Sequence, residues 1–114
     1  MRKTDKKIDN AIRQTLTEVC DLALEKVIGF QWLTHQVNYD NFPKSLTVVC
    51  VLDTNEQLLA IKLRGDDVYL RKVIKQHLVK VNVNITDAHK QVKFDCEEEC
   101  TRVNNGNWSI RLQH

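Results

Sequence analysis

Two cysteines near the end of the chain have a spacing that could hold a metal ion. Cys96 and Cys100 lie four residues apart on a predicted helix, so both side chains project from one face. His89 precedes them, and His77 and His114 could approach in the fold. Structural zinc sites usually combine two such pairs, and the sequence has no second pair. We therefore predict no metal and no cofactor, and we interpret Cys96 and Cys100 as buried thiols.

A second pattern partly matches metal-dependent nucleases of the restriction-enzyme type. Asp87 and the following Gln91-Val92-Lys93 resemble the acid and acid-x-Lys arrangement that holds the metal ion in such enzymes. Gln91 replaces the acid of this motif, and its amide binds a hard cation less well than a carboxylate. Asp53 follows a predicted strand but also precedes a helix, where an acid favours the helix dipole. We predict no catalytic residue, and a small metal-dependent hydrolase or nuclease with a non-standard site remains the alternative function.

Basic residues are grouped in two segments that could contact nucleic-acid phosphates. The chain holds 17 Lys and Arg against 15 Asp and Glu, and a net charge of +2 is too small to indicate such binding by itself. The acids Asp66, Asp67 and 97–99 are expected to break up a single basic field. We predict weak, sequence-independent binding at most. The predicted contact residues are Arg2, Lys3, Lys6 and Lys7 near the N-terminus, and Arg71, Lys72 and Lys75 on a later helix.

Polar residues also interrupt the first predicted strand. His35 lies in its middle, and Thr34, Gln36, Asn38 and Tyr39 flank it. Together these side chains could line a shallow site. A hairpin face exposed to solvent accounts for the same residues, so the sequence leaves both interpretations open.

The first predicted element has the clearest pattern in the chain. Apolar residues recur every three or four positions, which predicts one long amphipathic helix that packs on a sheet. We expect Thr4 to cap this helix and Gly29 to end it. Its apolar stripe consists of Ile8, Ile12, Leu16, Val19, Ala23 and Val27.

The middle of the chain predicts a hairpin followed by two helices. Strands at 30–39 and 46–52 are joined by a turn that contains Pro43. The first strand is apolar on neither face alone, which a bulge or burial on both sides would explain. The next helix is expected to begin after the cap residue Thr54 and to end at Gly65, and a second helix follows directly.

The last third of the chain predicts shorter elements. Strands are expected at 83–85 and 92–94, followed by a helix to about Val103. The order αββααββα, with the long N-terminal helix packed on a small, mainly antiparallel sheet, is typical of an α+β fold. We expect Trp108 to be buried by a C-terminal tail that docks on the domain.

Length and composition predict a single cytoplasmic domain, 1–114. Hydrophobic residues make up 42% of the 114 residues, which is enough for a core. The opening MRKTDKK is charged and no apolar stretch follows, so we expect no signal peptide. The longest apolar run, Leu46 to Leu52, is far shorter than the roughly 20 residues that span a bilayer. The four cysteines are expected to be reduced.

Three segments resemble a family of small proteobacterial proteins whose members are often labelled Fis family transcriptional regulators. They are MRKTDKKID, GFQWLTHQVNYDNFPKSLTVVCVLDTN and CEEECTRVNNGNWSIRL, and the likeness covers nearly the whole chain. The resemblance implies a transcriptional regulator. Seven residues follow Asn107, whereas a recognition helix with its turn needs about twenty, so no DNA-binding residue is carried over.

These patterns together favour a small non-enzymatic regulatory or interaction module. We predict weak nucleic-acid contact, an unidentified protein partner or a homodimer, and no association with a membrane.

Overall fold

The computed structural model describes residues 2–113 and begins with a long helix, α1, at Lys3–Lys26. Its predicted apolar stripe is confirmed: Ile12, Leu16, Val19 and Ala23 are at most 2% exposed. The cap lies at Arg2 instead of Thr4, and the helix ends before Gly29 because Val27 is already extended.

Three strands form one sheet, with β1 at Phe30–Gln36, β2 at Thr47–Leu52 and β3 at Val92–Cys96. Their order is β1-β2-β3, so β2 is central and β1 and β3 are edges. A short 3-10 turn, Tyr39–Asn41, lies between β1 and β2, which are antiparallel as expected. The expected irregularity of β1 is confirmed as a register shift between Phe30 and Trp32.

Five further helices complete the fold. Their bounds are Asn55–Arg64 for α2, Asp66–Lys80 for α3, Ala88–Gln91 for α4, Glu97–Asn104 for α5 and Trp108–Arg111 for α6. The hydroxyl of Thr54 accepts a hydrogen bond from the Gln57 amide at 3.1 Å, as a cap of α2 should. Gly65 ends that helix with φ +80°, a conformation that favours glycine.

The α+β class is confirmed, but the strand predicted at 83–85 is wrong. Val83 and Ile85 are at most 2% exposed in an irregular segment after α3. Their alternation therefore reflects burial of a loop and not pairing in a sheet. The sheet also combines an antiparallel pair, β1 with β2, and a parallel pair, β2 with β3. The second pair is parallel because α2, α3 and α4 return the chain to the end of the sheet where β2 began.

The two faces of the sheet are covered differently. Val48, Cys50 and Leu52 of β2 join the apolar side chains of α1 and α3 in the main core. The alternate residues Val49 and Val51 are at most 4% exposed on the opposite face, where Arg111 and Leu112 approach Val49. No helix within residues 2–113 has the length and hydrophobicity that crossing a bilayer requires.

The C-terminal tail docks on the domain through Trp108, as expected. Its ring packs edge-on against Trp32 with centroids 4.9 Å apart, and both indole N–H groups donate to Glu97. Arg111 adds two hydrogen bonds to Asp95, at 2.6 and 2.9 Å. These contacts leave Trp108 partly buried.

Candidate functional site

A groove lies between α1 and the edge strand β1. It has a volume of about 710 Å³, within the usual range of roughly 300–1,000 Å³ for ligand pockets. Asp9, His35 and Tyr39 line one part of it, and Leu16 and Leu33 supply apolar surface. Of the polar row predicted on the first strand, Thr34, His35 and Tyr39 line this groove, whereas Gln36 and Asn38 do not.

Asp9 is the centre of a polar cluster in this groove. It is 7% exposed, although it lies on the helix that supplies much of the core. Its Oδ1 atom accepts hydrogen bonds from Tyr39 Oη at 2.7 Å and from His35 Nε2 at 2.9 Å. Its Oδ2 atom accepts one from Arg13 Nε at 2.9 Å. A single carboxylate therefore joins α1, β1 and the turn that follows β1.

The surroundings of Asp9 keep it ionised near neutral pH. The hydrogen bond from His35, followed by that from Tyr39, holds the pKa of Asp9 below its ordinary value, and burial opposes this only in part. Burial and the bond to Asp9 raise the pKa of Tyr39, so the phenol stays protonated and donates. A carboxylate with three donors is best suited to hold these elements together, and poorly suited to accept a proton from a substrate.

Cys20 is the nucleophilic side chain nearest to this cluster in the groove lining. Its thiol lies against the backbone of Leu33, and burial raises the pKa of Cys20. His35 Nε2 is bonded to Asp9, and no hydrogen bond joins His35 to the Cys20 thiol among the described residues. The groove therefore does not present an assembled pair of nucleophile and base, such as covalent catalysis uses.

The N-terminal basic residues are exposed on α1 and just before it. Lys3, Lys6 and Lys7 are exposed. Arg2 is exposed too, but it lies 3.2 Å from Asp40 and 3.5 Å from Asp5. The three lysines are thus the residues of this group best placed to contact a phosphate.

The basic residues of α3 differ from one another. Lys72 and Lys75 are exposed. Arg71 turns inward, where its guanidinium lies 4.9 Å from the ring centre of Phe94 and donates to the Val92 carbonyl at 3.2 Å. Arg71 therefore has a structural role, which its sequence context did not reveal.

The start of α1 and the end of α3 lie at the same end of the molecule. The C-terminus of α1 leads into the start of β1, whereas α3 begins next to α2 and leads through α4 into the start of β3. The start of β1 pairs with the end of β2, so α1 and α3 run in opposite directions. The Thr15 hydroxyl donates to the His77 carbonyl at 3.2 Å, which confirms that the helices touch. We call the first half of α1 and the second half of α3 the basic end, which includes the exposed Lys75 and Lys80 but not Lys72.

The acids expected to break up this basic field lie at the opposite end. Asp66 and Asp67 begin α3, and the acids 97–99 begin α5, directly after β3 ends. The Glu98 amide donates to the Asp53 carbonyl at 3.0 Å, which gathers further acidic residues there. These acids therefore lie away from the N-terminal lysines, although Asp5 and Asp40 lie beside Arg2.

The residues of the nuclease-like pattern have local structural partners. The amide of Gln91 donates to the carbonyls of Pro43 and Leu46, both at 3.0 Å, and its oxygen accepts from the Asp87 amide. Asp87 also accepts a hydrogen bond from the Lys90 amide at the start of α4. These contacts fasten α4 to the loop before β2, and they leave Gln91 unsuited to bind a cation.

The cysteine pair is buried, as interpreted. Cys96 and Cys100 are each 0% exposed, and the Cys96 thiol lies 3.4 Å from Asn55 Oδ1. In the described part of the chain, no three His, Cys, Asp or Glu side chains gather as a metal site would require. His77 Nδ1 is 2.9 Å from the Val73 carbonyl, and His114 lies outside the described residues.

Comparison with protein-family models, curated proteins and solved structures gives no match for this chain. Function is therefore inferred from the geometry of the groove and of the basic end.

Proposed function

We propose that this protein is a small, non-enzymatic interaction module whose basic end makes weak, sequence-independent contacts with a nucleic-acid backbone. The observation that carries the proposal is the opposite direction of α1 and α3. It brings Lys75 and Lys80 of α3 towards the end that carries Lys3, Lys6 and Lys7, and it leaves the acids 97–99 at the other end. Such grouping of cations favours phosphate binding, whereas a net charge of +2 alone does not.

The number of available cations limits the strength of this binding. The basic end has the exposed residues Lys3, Lys6, Lys7, Lys75 and Lys80, whereas Arg2 and Arg71 are engaged with other groups. If about four of these lysines contact phosphates, the logarithm of the association constant should fall with the logarithm of salt concentration with a slope of about −3 to −4. We therefore expect binding at low salt that largely disappears at physiological salt.

The turn between α2 and α3 does not match the phosphate-binding glycine loop of KH modules. Those modules clamp four nucleotides of backbone with a GXXG loop. The turn between α2 and α3 reads Arg64-Gly65-Asp66-Asp67, with one glycine and two adjacent acids. Two carboxylates at that position would repel phosphates, so the proposed contact is assigned to the lysines of the basic end.

Fluorescence anisotropy with a labelled 20-nucleotide single-stranded RNA and a labelled 20-base-pair DNA tests the proposal. The variants are Lys6→Glu with Lys7→Glu, and Lys75→Glu with Lys80→Glu, all four of which are exposed lysines of the basic end. The matched control is Lys26→Glu with Lys62→Glu, two exposed lysines outside the basic end. Each pair changes the formal net charge from +2 to −2, so the three proteins differ only in where the charge is reversed.

We expect each basic-end variant to bind at least about tenfold more weakly and to reduce the salt slope by about 1.4–1.8. The control should stay within about twofold of the natural protein. Equal weakening in all three would show that net charge alone acts and would refute the proposed surface. A tight complex with one duplex sequence at physiological salt would also refute it, in favour of a sequence-specific regulator.

We further propose a cytoplasmic location. It is supported by Cys20, Cys50, Cys96 and Cys100, all of which are free thiols, as is usual in a reducing compartment. Fractionation of the native cell, with thiol labelling in the lysate, tests this proposal. Recovery of the protein in an oxidising compartment would contradict it.

A further inference from the structure

We infer that the groove between α1 and β1 binds an extended segment of a partner protein, which adds to the sheet beside β1 as a fourth strand. This inference concerns a different surface from the basic end and does not depend on nucleic-acid binding. It rests on the open edge of β1, on the shape of the groove and on the charges at its margin.

The first support is the open edge of β1. This strand pairs with β2 on one side only. In a strand, the backbone groups of alternate residues point to the same side, so an edge strand presents a row of free N–H and C=O groups. The Cys20 thiol of α1 lies against the Leu33 backbone, so this backbone faces the groove and an added strand would displace the thiol from it. Because backbone direction alternates along a strand, the His35 backbone faces the groove as well. The register shift between Phe30 and Trp32 limits regular pairing to the part of β1 after Trp32.

The sequence of β1 lacks side chains that usually protect an edge. Natural edge strands often carry lysine or proline, which discourage pairing with another chain. The strand reads FQWLTHQ and contains neither residue. Its second half therefore remains competent to pair with an additional strand.

The second support is the shape of the groove. Leu33, Thr34 and His35 all line it, although successive side chains of a strand point to opposite faces. A groove lined by three consecutive residues must include the edge of the strand and not only one face. Thr17 and Cys20 of α1 line it as well. A single extended chain can lie between this helix and the strand.

The third support is charge, which also defines the occupant. Arg13 lines the groove with a side chain that is 70% exposed, and Asp21 lines it two turns further along α1. Eight residues of helix span about 12 Å, which equals three to four residues of strand. We therefore expect a segment with apolar residues over Leu16 and Leu33, an acid near Arg13 and, three or four positions away, a base near Asp21.

The same geometry disfavours a second copy of this chain as the occupant. Pairing of β1 with the β1 of another copy would bring the two α1 helices, one beside each strand, towards the same space. A peptide without flanking structure avoids this steric conflict. Dimer formation through the groove is therefore an outcome that the experiment below must detect.

A phage-displayed library of random twelve-residue peptides, selected against the whole protein, tests the inference. Enriched peptides are synthesised and their binding is measured by calorimetry and by amide hydrogen exchange. Thr17→Trp and Thr17→Arg should block the groove, because Thr17 is an exposed residue of its lining. Gln14→Trp is the matched control, since Gln14 is exposed on the same helix but does not line the groove.

We expect enriched peptides to share the acid and base at the stated spacing and to slow exchange of the Leu33 and His35 amides at least about tenfold. Both Thr17 variants should weaken binding at least tenfold, and Gln14→Trp should have little effect. Arg13→Glu should prefer peptides in which the acid is replaced by lysine.

Three results would overturn the inference. One is a failure to enrich any peptide, and another is enrichment of peptides that bind the Thr17 variants as well as the natural protein. The third is a dimer in analytical ultracentrifugation that Thr17→Trp dissociates, which would make a second copy the occupant. The Thr17 variants should retain nucleic-acid binding, so failure here is distinguishable from failure of the basic-end proposal.

Discussion

Replacing Asp9 should destabilise the protein more than replacing any exposed acid of the same helix. The carboxylate accepts hydrogen bonds from His35, Tyr39 and Arg13, at 2.7 to 2.9 Å. Asp9→Ala removes the acceptor of all three groups at once. Arg13 can turn to water because its side chain is 70% exposed, whereas the His35 side chain is only 12% exposed. The main cost therefore arises from His35 and Tyr39.

The expected magnitude follows from these two donors. A buried donor without a partner costs about 1–3 kcal/mol, and the lower half of that range applies here because both groups retain some solvent contact. Asp9→Ala should therefore reduce the free energy of unfolding by about 2–4 kcal/mol. Asp9→Asn keeps one acceptor oxygen but loses the charge, and charge-assisted hydrogen bonds are about twice as strong as neutral ones. We expect a loss of about 1–2 kcal/mol for that variant.

Urea unfolding followed by circular dichroism measures these changes. A double-mutant cycle between Asp9→Ala and Tyr39→Phe should give a coupling energy of about 1 kcal/mol, because the hydroxyl and the carboxylate bond directly. Asp21→Asn, an exposed site on the same helix, is the control and should change stability by less than about 0.5 kcal/mol. A loss below about 1 kcal/mol for Asp9→Ala, or no coupling with Tyr39, would refute this account of the cluster.

The carboxylate of Asp9 should also make the stability of the protein depend on pH. The pKa of Asp9 is lower in the folded protein than its ordinary value, mainly because His35 donates to it. Its contribution to stability is therefore complete above the unfolded pKa, about 3.9, and is lost as pH falls through the lower folded pKa. Between pH 5 and pH 3 the natural protein should lose more stability than Asp9→Asn. Parallel losses in the two proteins would contradict this prediction.

Three further predictions concern other parts of the fold. Leu16→Ala should cost about 2–5 kcal/mol in urea unfolding, because Leu16 is 2% exposed in the core, and a cost below about 1 kcal/mol would contradict its placement. Arg111→Ala should loosen the tail because it removes both hydrogen bonds to Asp95. In a protein whose single tryptophan is Trp108, acrylamide should then quench the fluorescence more readily. Unchanged quenching would refute this role of Arg111. Burial raises the pKa of Cys50 to about 12, so a thiol reagent should modify Cys50 only after unfolding, and rapid labelling of the native protein would be the opposite result.

The sequence predicts the local elements of this fold well, for physical reasons. The apolar residues of α1 recur with the helical period, so they form one stripe that leaves water only when it packs on the rest of the protein. The cap at Thr54 and the end at Gly65 depend on single residues whose chemistry is local. The strand predicted at 83–85 is wrong because an alternating pattern indicates only which side chains are buried. A loop that lies on the core can bury alternate residues as a strand does.

The candidate sites could be predicted only in part, because they depend on chain direction. Lys6 and Lys75 are far apart in sequence, and only the opposite course of α1 and α3 places them at one end. The polar row around His35 was visible in the sequence. Its main partner, Asp9, was hidden because an acid next to Ile8 on an amphipathic helix is normally exposed. The one available signal is that Asp9 borders the apolar stripe.

The burial of Asp9 is explained by how α1 is held against β1. Near its C-terminus the helix is joined to the strand by apolar packing, since Val27 and Phe30 are each 4% exposed and the Phe30 amide donates to the Val27 carbonyl at 3.2 Å. Near its N-terminus the Asp9 cluster makes the connection. Between these attachments the groove stays open past Thr17 and Cys20. An apolar residue at position 9 could pack, but it would supply no acceptor for His35 and Tyr39, so the carboxylate both stabilises the fold and fixes the spacing of helix and strand on which the groove depends.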